Sequence, residues 1–247
     1  MNYKNKEHVI LTRNDNEVCF FSLGGRVGKK KAAFTLAEVL ITIGVIGVVA
    51  AMTIPSLIQK YSNERNSAIL KEDYSILQQM MLSANDNGAF INLEQNDDTN
   101  ERKWFEEYFM PYIKTAHVCY GESGCWSNNI KNLRGEVVYN GDVGCGQGSV
   151  TFVLNNGSYI CIDAYGTNTV DVGLLIDVNG LQKPNIIGKD IFVVLFKDEK
   201  FLPGGYNKTK DEIENNCSKN CSGDKYSCGE ACLIKAKNQG FKLPIVK

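Results

Sequence analysis

The stretch that decides the fold is Phe34–Ile58, FTLAEVLITIGVIGVVAAMTIPSLI. From Val39 to Ile58 it contains no charged side chain, and a helix of about twenty residues covers about 30 Å, roughly the hydrocarbon thickness of a bilayer. Four basic residues precede this apolar span: Arg26, Lys29, Lys30 and Lys31. Because basic residues stay on the cytoplasmic side, the sequence predicts a single-pass chain with its N-terminus in the cytoplasm and everything after the span outside.

Composition narrows the classes of function. The chain has 247 residues, of which 43% are hydrophobic, and this suits one globular domain, or one domain plus an extra element, rather than several domains. Its net charge is -1 and it has no block of like charge, so we expect no direct nucleic-acid partner. With only two histidines, His8 and His117, it has little material for a histidine metal centre or a Ser/His/Asp triad. Composition therefore favours a protein that is not an enzyme.

Three interpretations of the apolar span compete. A cleaved secretory signal peptide would use Val49-Ala50-Ala51 as its small-residue cleavage site, and a plain signal anchor would stay uncut. Neither a signal peptide nor a signal anchor requires an acid such as Glu38 at the start of its apolar span. A carboxylate at the membrane edge is therefore a candidate functional residue. Simple solvation of this acid at the headgroup level is the alternative.

The third interpretation comes from the residues around that acid, Lys30–Glu38, KKAAFTLAE. This stretch resembles the N-terminal processing and methylation signal of type IV pilins and of the pseudopilins of type II secretion systems. The resemblance implies that a membrane-embedded prepilin peptidase removes a basic leader, residues 1–33, by cutting between Ala33 and Phe34, and that the new N-terminus is methylated. The family usually has Gly where this chain has Ala33. Pro55 matches a position where the family often has a helix-kinking proline.

The resemblance also implies a role in assembly for Glu38. In a filament of parallel helices, its carboxylate pairs with the α-amino group of Phe34 on a neighbouring subunit, in a core of low dielectric constant where the attraction is strong. The implied partners are sister pilin or pseudopilin subunits, prepilin peptidase, an assembly ATPase acting through a platform protein, and the inner membrane. The protein would be a structural subunit, and a minor one, of a type IV pilus or a type II secretion pseudopilus. It would lie first in the inner membrane and then in the filament.

Two other functions stay open. The same helix could tether an extracytoplasmic adhesin or binding domain that is not assembled into a filament, with the cysteine-rich tail carrying the function. A secreted hydrolase is the weaker alternative, because His117 stands alone beside Cys119 and a cysteine of an exported domain is more often bridged than catalytic.

An apolar stripe beyond the span predicts that the same helix continues. Its members recur at helical spacing: Leu70, Tyr74, Leu77, Met81 and Ala84. The turn residues Asn85–Gly88 predict its end, so the long helix covers residues 34–88 and includes the transmembrane span 39–58. A second, short amphipathic helix is predicted over Trp104–Met110, with its aromatic side chains in a core.

Segments rich in β-forming residues follow and predict a small antiparallel sheet. Four strands are expected: Ser149–Leu154, Ser158–Asp163, Val170–Asp177 and Ile191–Phe196. The first two flank Asn155-Asn156-Gly157, a strong hairpin signal. The sequence therefore predicts an α+β chain, in which the long helix packs on this sheet within an extracytoplasmic domain of residues 89–247. The type IV pilin resemblance implies the same layout.

The cysteines indicate an oxidised, exported domain. Cys19 lies in the leader, and the remaining cysteines form an even set: Cys119, Cys125, Cys145, Cys161, Cys217, Cys221, Cys228 and Cys232. Cys119 and Cys125 close a short loop. Cys145 and Cys161 lie near and within the predicted hairpin.

The last four cysteines follow the pattern C-x3-C-x6-C-x3-C. This spacing could hold zinc, but export favours disulfides, and the intervals are not the C-x2-C pairs of zinc ribbons. A nested pairing is our hypothesis: Cys217 with Cys232, and Cys221 with Cys228. These bridges would staple the tail Lys208–Lys247, which has too few apolar residues to pack alone.

One segment between the last two predicted strands suggests a metal. Asp177, Asn179 and Asp190 supply hard oxygen ligands of the kind that calcium prefers. The pattern lacks the acids and the distal Glu of an EF-hand loop, and Asn179-Gly180 is more often a simple turn. We therefore expect no obligatory cofactor and keep calcium as an open possibility.

Overall fold

The computed structural model describes residues 34–86, 102–140, 145, 149–165, 171–197 and 200–243. Ala33, the basic leader and the turn residues 87–88 lie outside this set. The chain divides into two compact units, Met1–Ala51 and Met52–Lys247. In the first unit, the described residues become helical at Leu36, and large apolar side chains from Val39 to Val49 are exposed.

One helix and one main sheet form the framework. Helix α1 spans Leu36–Asp86 and contains Pro55. The strands are β1 Thr115–Tyr120, β2 Ile130–Lys131, β3 Val137–Tyr139, β4 Val150–Leu154, β5 Tyr159–Tyr165, β6 Asp171–Asp177, β7 Ile191–Lys197 and β8 Lys200–Pro203. The main sheet is antiparallel, in the order β1-β4-β5-β6-β7-β8, and β2 pairs with β3 separately. The α+β layout predicted from the sequence is confirmed.

The sheet is larger than the four strands that the sequence indicated. The four expected strands form its centre as β4 to β7, and the structure adds β1 at one edge and β8 at the other. The hairpin between β4 and β5 is confirmed: Gly157 has a φ of 88°, and its backbone N–H donates to the carbonyl of Leu154. Glycine suits this turn because a side chain strains the left-handed backbone.

The predicted stripe on α1 faces the core. Leu70 and Leu77 are fully buried, and the other stripe residues are nearly so. They pack in one apolar cluster with the inward side chains of the sheet, among them Phe152, Ile160, Leu174 and Phe192. The helix and the sheet each bury one face against the other. An apolar stripe on one side of α1 and inward-facing apolar side chains on the strands are therefore enough to form this core.

The aromatic segment between α1 and β1 fills the same core. It forms a π-helical turn over Phe105–Phe109 followed by a 3-10 turn over Met110–Tyr112. Phe105 stacks on Phe152 with ring centroids 5.1 Å apart, and Trp104 meets Phe109 edge-on at 4.2 Å. The expectation that these aromatics fill a core is confirmed.

The C-terminal tail is more than a stapled extension. It forms α2 over Lys210–Asn216 and α3 over Cys232–Asn238. Thr209 and Glu212 make a reciprocal capping box at the start of α2. Leu233 and Ala236 of α3 are fully buried in the main core. The tail was expected to have too few apolar residues to pack alone. It does not pack alone, because α3 buries its apolar face in the core that α1 and the main sheet form.

Candidate functional site

The start of α1 carries a capping box. The Glu38 carboxylate accepts hydrogen bonds from the backbone N–H and the hydroxyl of Thr35, both at 2.8 Å, and the Thr35 hydroxyl accepts from the Glu38 backbone N–H at 3.2 Å. Each side chain satisfies a donor that the first turn of a helix leaves free. The pattern Thr35-x-x-Glu38 is the ordinary sequence signal of a capping box and could have predicted it. Glu38 therefore has a local structural role in the isolated chain.

The residues predicted for processing and assembly that the structure describes, Phe34 and Glu38, are exposed. Phe34 is 84% exposed, and Glu38 is exposed as well. Pro55 lies inside α1, and the helix continues on both sides of it. A single helix of the described chain is both long and apolar enough to cross a membrane, and its most apolar window is not buried by other parts of the chain.

Comparison with known proteins identifies this N-terminal signal. A family model described as the prokaryotic N-terminal methylation motif matches residues 28–54. The chain thus carries the prepilin-type signal of type IV pilins and pseudopilins, as the sequence resemblance indicated. A search of curated proteins and a search of solved structures each found no match. The signal supports a membrane-anchored, pilin-like subunit, with processing by prepilin peptidase and assembly with other such subunits.

Four disulfides link the eight cysteines that follow the leader. They join Cys119 to Cys125, Cys145 to Cys161, Cys217 to Cys232, and Cys221 to Cys228. The last two are the nested pairs that the spacing suggested. Cα atoms of each pair lie 5.0 to 6.2 Å apart, within the range of ordinary disulfides.

One cluster of potential metal ligands includes two cysteines that are joined in a disulfide. His117, Cys119, Glu122 and Cys125 bring their ligand atoms within 4.8 Å of one another. Because the two sulfurs are bonded to each other, only His117 and Glu122, both exposed, retain free ligand atoms. Cys119 also has no thiol with which to act as the nucleophile of a hydrolase.

The calcium candidates lie together where β6 ends and β7 begins. Asp177 is fully buried and Asp190 is 2% exposed. Asp177 accepts hydrogen bonds from the Asn179 backbone N–H at 3.2 Å and the Ser127 hydroxyl at 3.4 Å. Burial, and then the nearby charge of Asp190, raise the pKa of Asp177 to about 8. Burial likewise raises the pKa of Asp190 to about 6. The hydrogen bond of 2.8 Å that the Ile186 backbone N–H donates to Asp190 Oδ1 lowers this pKa and offsets part of the effect of burial.

A third buried carboxylate, which the sequence analysis did not single out, lies on α1 beyond the apolar span. Asp73 is fully buried, and its Oδ1 accepts a hydrogen bond of 2.8 Å from the side-chain amide of Asn156 in the β4–β5 turn. Its Oδ2 is buried and has no hydrogen-bond partner among the described residues. Burial raises the pKa of Asp73 to about 6, against the lowering effect of Asn156. Helical periodicity could have predicted its burial, since Asp73 lies three positions after Leu70 and four before Leu77, on the core-facing side of the helix.

Proposed function

We propose that the protein is a structural subunit, and a minor one, of a type IV pilus or a type II secretion pseudopilus. The observation that carries this proposal is the methylation motif at residues 28–54, which includes the first part of an exposed apolar helix that begins at Leu36. Such a helix needs either lipid or other helices around it, and a filament supplies the second. The large disulfide-bonded domain supports a minor rather than an abundant subunit.

The leader and the helix act in sequence. The basic leader keeps the N-terminus in the cytoplasm, where prepilin peptidase cuts between Ala33 and Phe34 and the new amine is methylated. The subunit then waits in the inner membrane with its C-terminal domain outside. An assembly ATPase, acting through a platform protein, moves it into the filament beside its sister subunits.

Cleavage creates the partner that Glu38 needs. Before the cut, the nitrogen of Phe34 is an uncharged amide. After it, a cationic amine is available to the Glu38 carboxylate of a neighbouring subunit. Removing one member of such a buried pair leaves the other charge uncompensated, at a cost of roughly 3 to 5 kcal/mol. Assembly therefore depends on prior processing.

The capping box offers a competing role for the same carboxylate, and the two roles can be separated. Glu38→Gln keeps a side chain that fits the capping box but removes the charge. Thr35→Ala removes the cap but keeps the charge. Glu64→Ala, at an exposed position of the same helix, is the matched control for loss of an acid.

The experiment measures both processing and assembly in cells. N-terminal sequencing of the membrane-bound protein is expected to find methylated Phe34, whereas Met1 or Met52 as the first residue would refute processing as a pilin. For the variants, shearing and pelleting of surface filaments is expected to recover Thr35→Ala and Glu64→Ala but little Glu38→Gln. Recovery of Glu38→Gln at the wild-type level, with loss of Thr35→Ala, would assign Glu38 to capping alone. The ratio to the abundant subunit in the pellet tests the minor role.

A further inference from the structure

The end of β1 and the loop after it bring potential metal ligands together. His117 and Cys119 are two positions apart on β1, so their side chains lie on the same face of the strand. The bond between Cys119 and Cys125 closes the loop that follows, and Glu122 lies within this loop. The ligand atoms of four side chains lie within 4.8 Å of one another, and we call this set the β1 loop cluster: His117, Cys119, Glu122 and Cys125.

The disulfide of the β1 loop cluster differs from the other three in its exposure. Cys125 is half-buried, whereas both cysteines of each other disulfide are buried, at 3% exposure or less. A thiol must reach a sulfur atom to exchange with a disulfide, so a dithiol reductant is expected to open this bond of the folded chain before the others. Its two cysteines are six positions apart, so opening it releases only a short loop.

Opening the bond converts the cluster into a set of free ligands. In the exchange, one disulfide and one dithiol give two cysteine thiols and one oxidised dithiol. A newly synthesised chain passes through the same dithiol state before its disulfides form. The two sulfurs then join the imidazole of His117 and the carboxylate of Glu122. Neither of these side chains belongs to an ion pair in the part of the chain that the structure describes.

The ligand types and their spacing fit zinc. Zinc prefers cysteine sulfur and histidine nitrogen, accepts a carboxylate, and binds four ligands in a tetrahedron, whereas calcium and magnesium prefer oxygen alone. Ligand atoms on one tetrahedral zinc lie about 3.3 to 3.8 Å apart. Small side-chain movements therefore convert the present spacing, at most 4.8 Å, into that geometry. We propose that the β1 loop cluster is a redox-gated site, which binds one zinc ion only when the Cys119–Cys125 disulfide is open.

Zinc binding and disulfide formation exclude each other at this site. Zinc displaces the two thiol protons, which pass to the solvent, and holds the sulfurs as thiolates. Because zinc binds the dithiol form alone, it draws the thiol–disulfide equilibrium toward that form. Zinc thus delays closure of the loop, and oxidation of the two thiolates to the disulfide releases the metal. The proposal concerns the domain alone, so it stands or falls independently of filament assembly.

The test uses the full chain in detergent micelles, both oxidised and after limited treatment with dithiothreitol, a dithiol, without denaturant. The reductant is removed under argon so that it does not compete for zinc. Alkylation and peptide mass spectrometry are expected to find Cys119 and Cys125 free while the other disulfides stay closed. Titration with zinc chloride is expected to show one ion per reduced chain, with a Kd below about 1 μM, and none per oxidised chain.

Variants locate the binding. His117→Ala is expected to weaken zinc binding about tenfold or more, and Glu122→Gln to weaken it to a smaller extent. Glu107→Gln, at an exposed position outside the cluster, is the control and leaves binding unchanged. Replacing both Cys119 and Cys125 by Ser is expected to abolish binding. This double variant keeps the cysteines of the tail, so zinc binding by its reduced form would assign the metal to the tail and overturn the proposal.

The link between zinc and the disulfide has its own measurement. In a buffer of reduced and oxidised glutathione, free zinc at about 100 times its Kd is expected to shift the ratio of dithiol to disulfide about 100-fold. In His117→Ala, the same zinc concentration is expected to shift it about tenfold or less. An unchanged ratio in the wild type, or equal zinc binding by the oxidised chain, would overturn the proposal. Opening of the tail disulfides before that of Cys119 and Cys125 would overturn it as well.

Discussion

Asp73→Asn is expected to stabilise the domain at neutral pH and to have little effect in acid. The wild-type carboxyl has a pKa of about 6 in the folded chain against 3.8 as its ordinary value, because it is buried at the contact between α1 and the β4–β5 turn. The folded state therefore binds the proton more tightly than the unfolded state. The favourable contribution of the protonated Asp73 carboxyl to the free energy of unfolding is complete below about pH 4 and is lost as the pH rises through about 6.

The magnitude follows from the difference between those two values. Each pH unit of difference corresponds to about 1.4 kcal/mol, so ionisation of Asp73 removes about 3 kcal/mol from the free energy of unfolding by pH 7.5. Asn has nearly the same shape and does not ionise. It still places a carbonyl oxygen where Asn156 donates, so most of the local packing is kept.

The measurement is urea unfolding of the full chain in detergent micelles from pH 4 to pH 8, for the wild type and the variant. Other titrating groups cancel in the difference between the two curves. We expect the advantage of Asp73→Asn to grow from near zero at pH 4 to between 1 and 3 kcal/mol, as an order of magnitude, at pH 7.5. Glu64→Gln, at an exposed position of the same helix outside the Asp73–Asn156 contact, is the control and is expected to show no such growth. A difference that does not change with pH would refute this account of Asp73.

Two further predictions concern the tail and its packing. Gly229→Ala is expected to destabilise the domain by about 2 kcal/mol or more in urea unfolding, because the added Cβ would lie 2.5 Å from the backbone oxygen of Ile187 at a φ of 99°. Gly240→Ala, with a φ of 71° but open space around the added Cβ, is the control for backbone strain and should cost only about 1 kcal/mol. Replacing both Cys217 and Cys232 by Ala is expected to lower the free energy of unfolding by about 3 kcal/mol, because their bond closes a chain segment of 15 residues and is buried in the main core. An unchanged unfolding midpoint in that double variant would show that packing of α3 alone holds the tail.

Much of the fold could be predicted because its signals are local. The uncharged span, the stripe from Leu70 to Ala84 and the Asn155-Asn156-Gly157 turn each need only a few neighbouring residues to be interpreted. The methylation signal is equally local, since a peptidase acts on a short, continuous stretch of chain. These elements appear in the structure where the sequence placed them.

The edges of the sheet were harder to predict. Strand β1 contains His117 and exposed residues, and its pairing with β4 includes a register shift, so its alternation is weak. Strand β8 has four residues and ends at Pro203. It is held by long-range contacts, including the hydrogen bond of 2.7 Å that the Gln78 side-chain amide donates to the carbonyl of Phe201. Short edge strands depend on such contacts and carry little local signal.

The sequence alone determined that this chain has a helix long and apolar enough to cross a membrane, with a prepilin-type signal, because hydropathy and short motifs are properties of continuous segments. Only the tertiary structure decided which carboxylates are buried. The sequence marks Asp177 and Asp190 as candidate oxygen ligands but does not show that they are buried, and it does not distinguish Asp73 from other acids. Their burial arises when α1, the β4–β5 turn and the ends of β6 and β7 come together. Burial depends on what lies across the fold, so no local pattern specifies it, and it is burial that raises the pKa values of these acids.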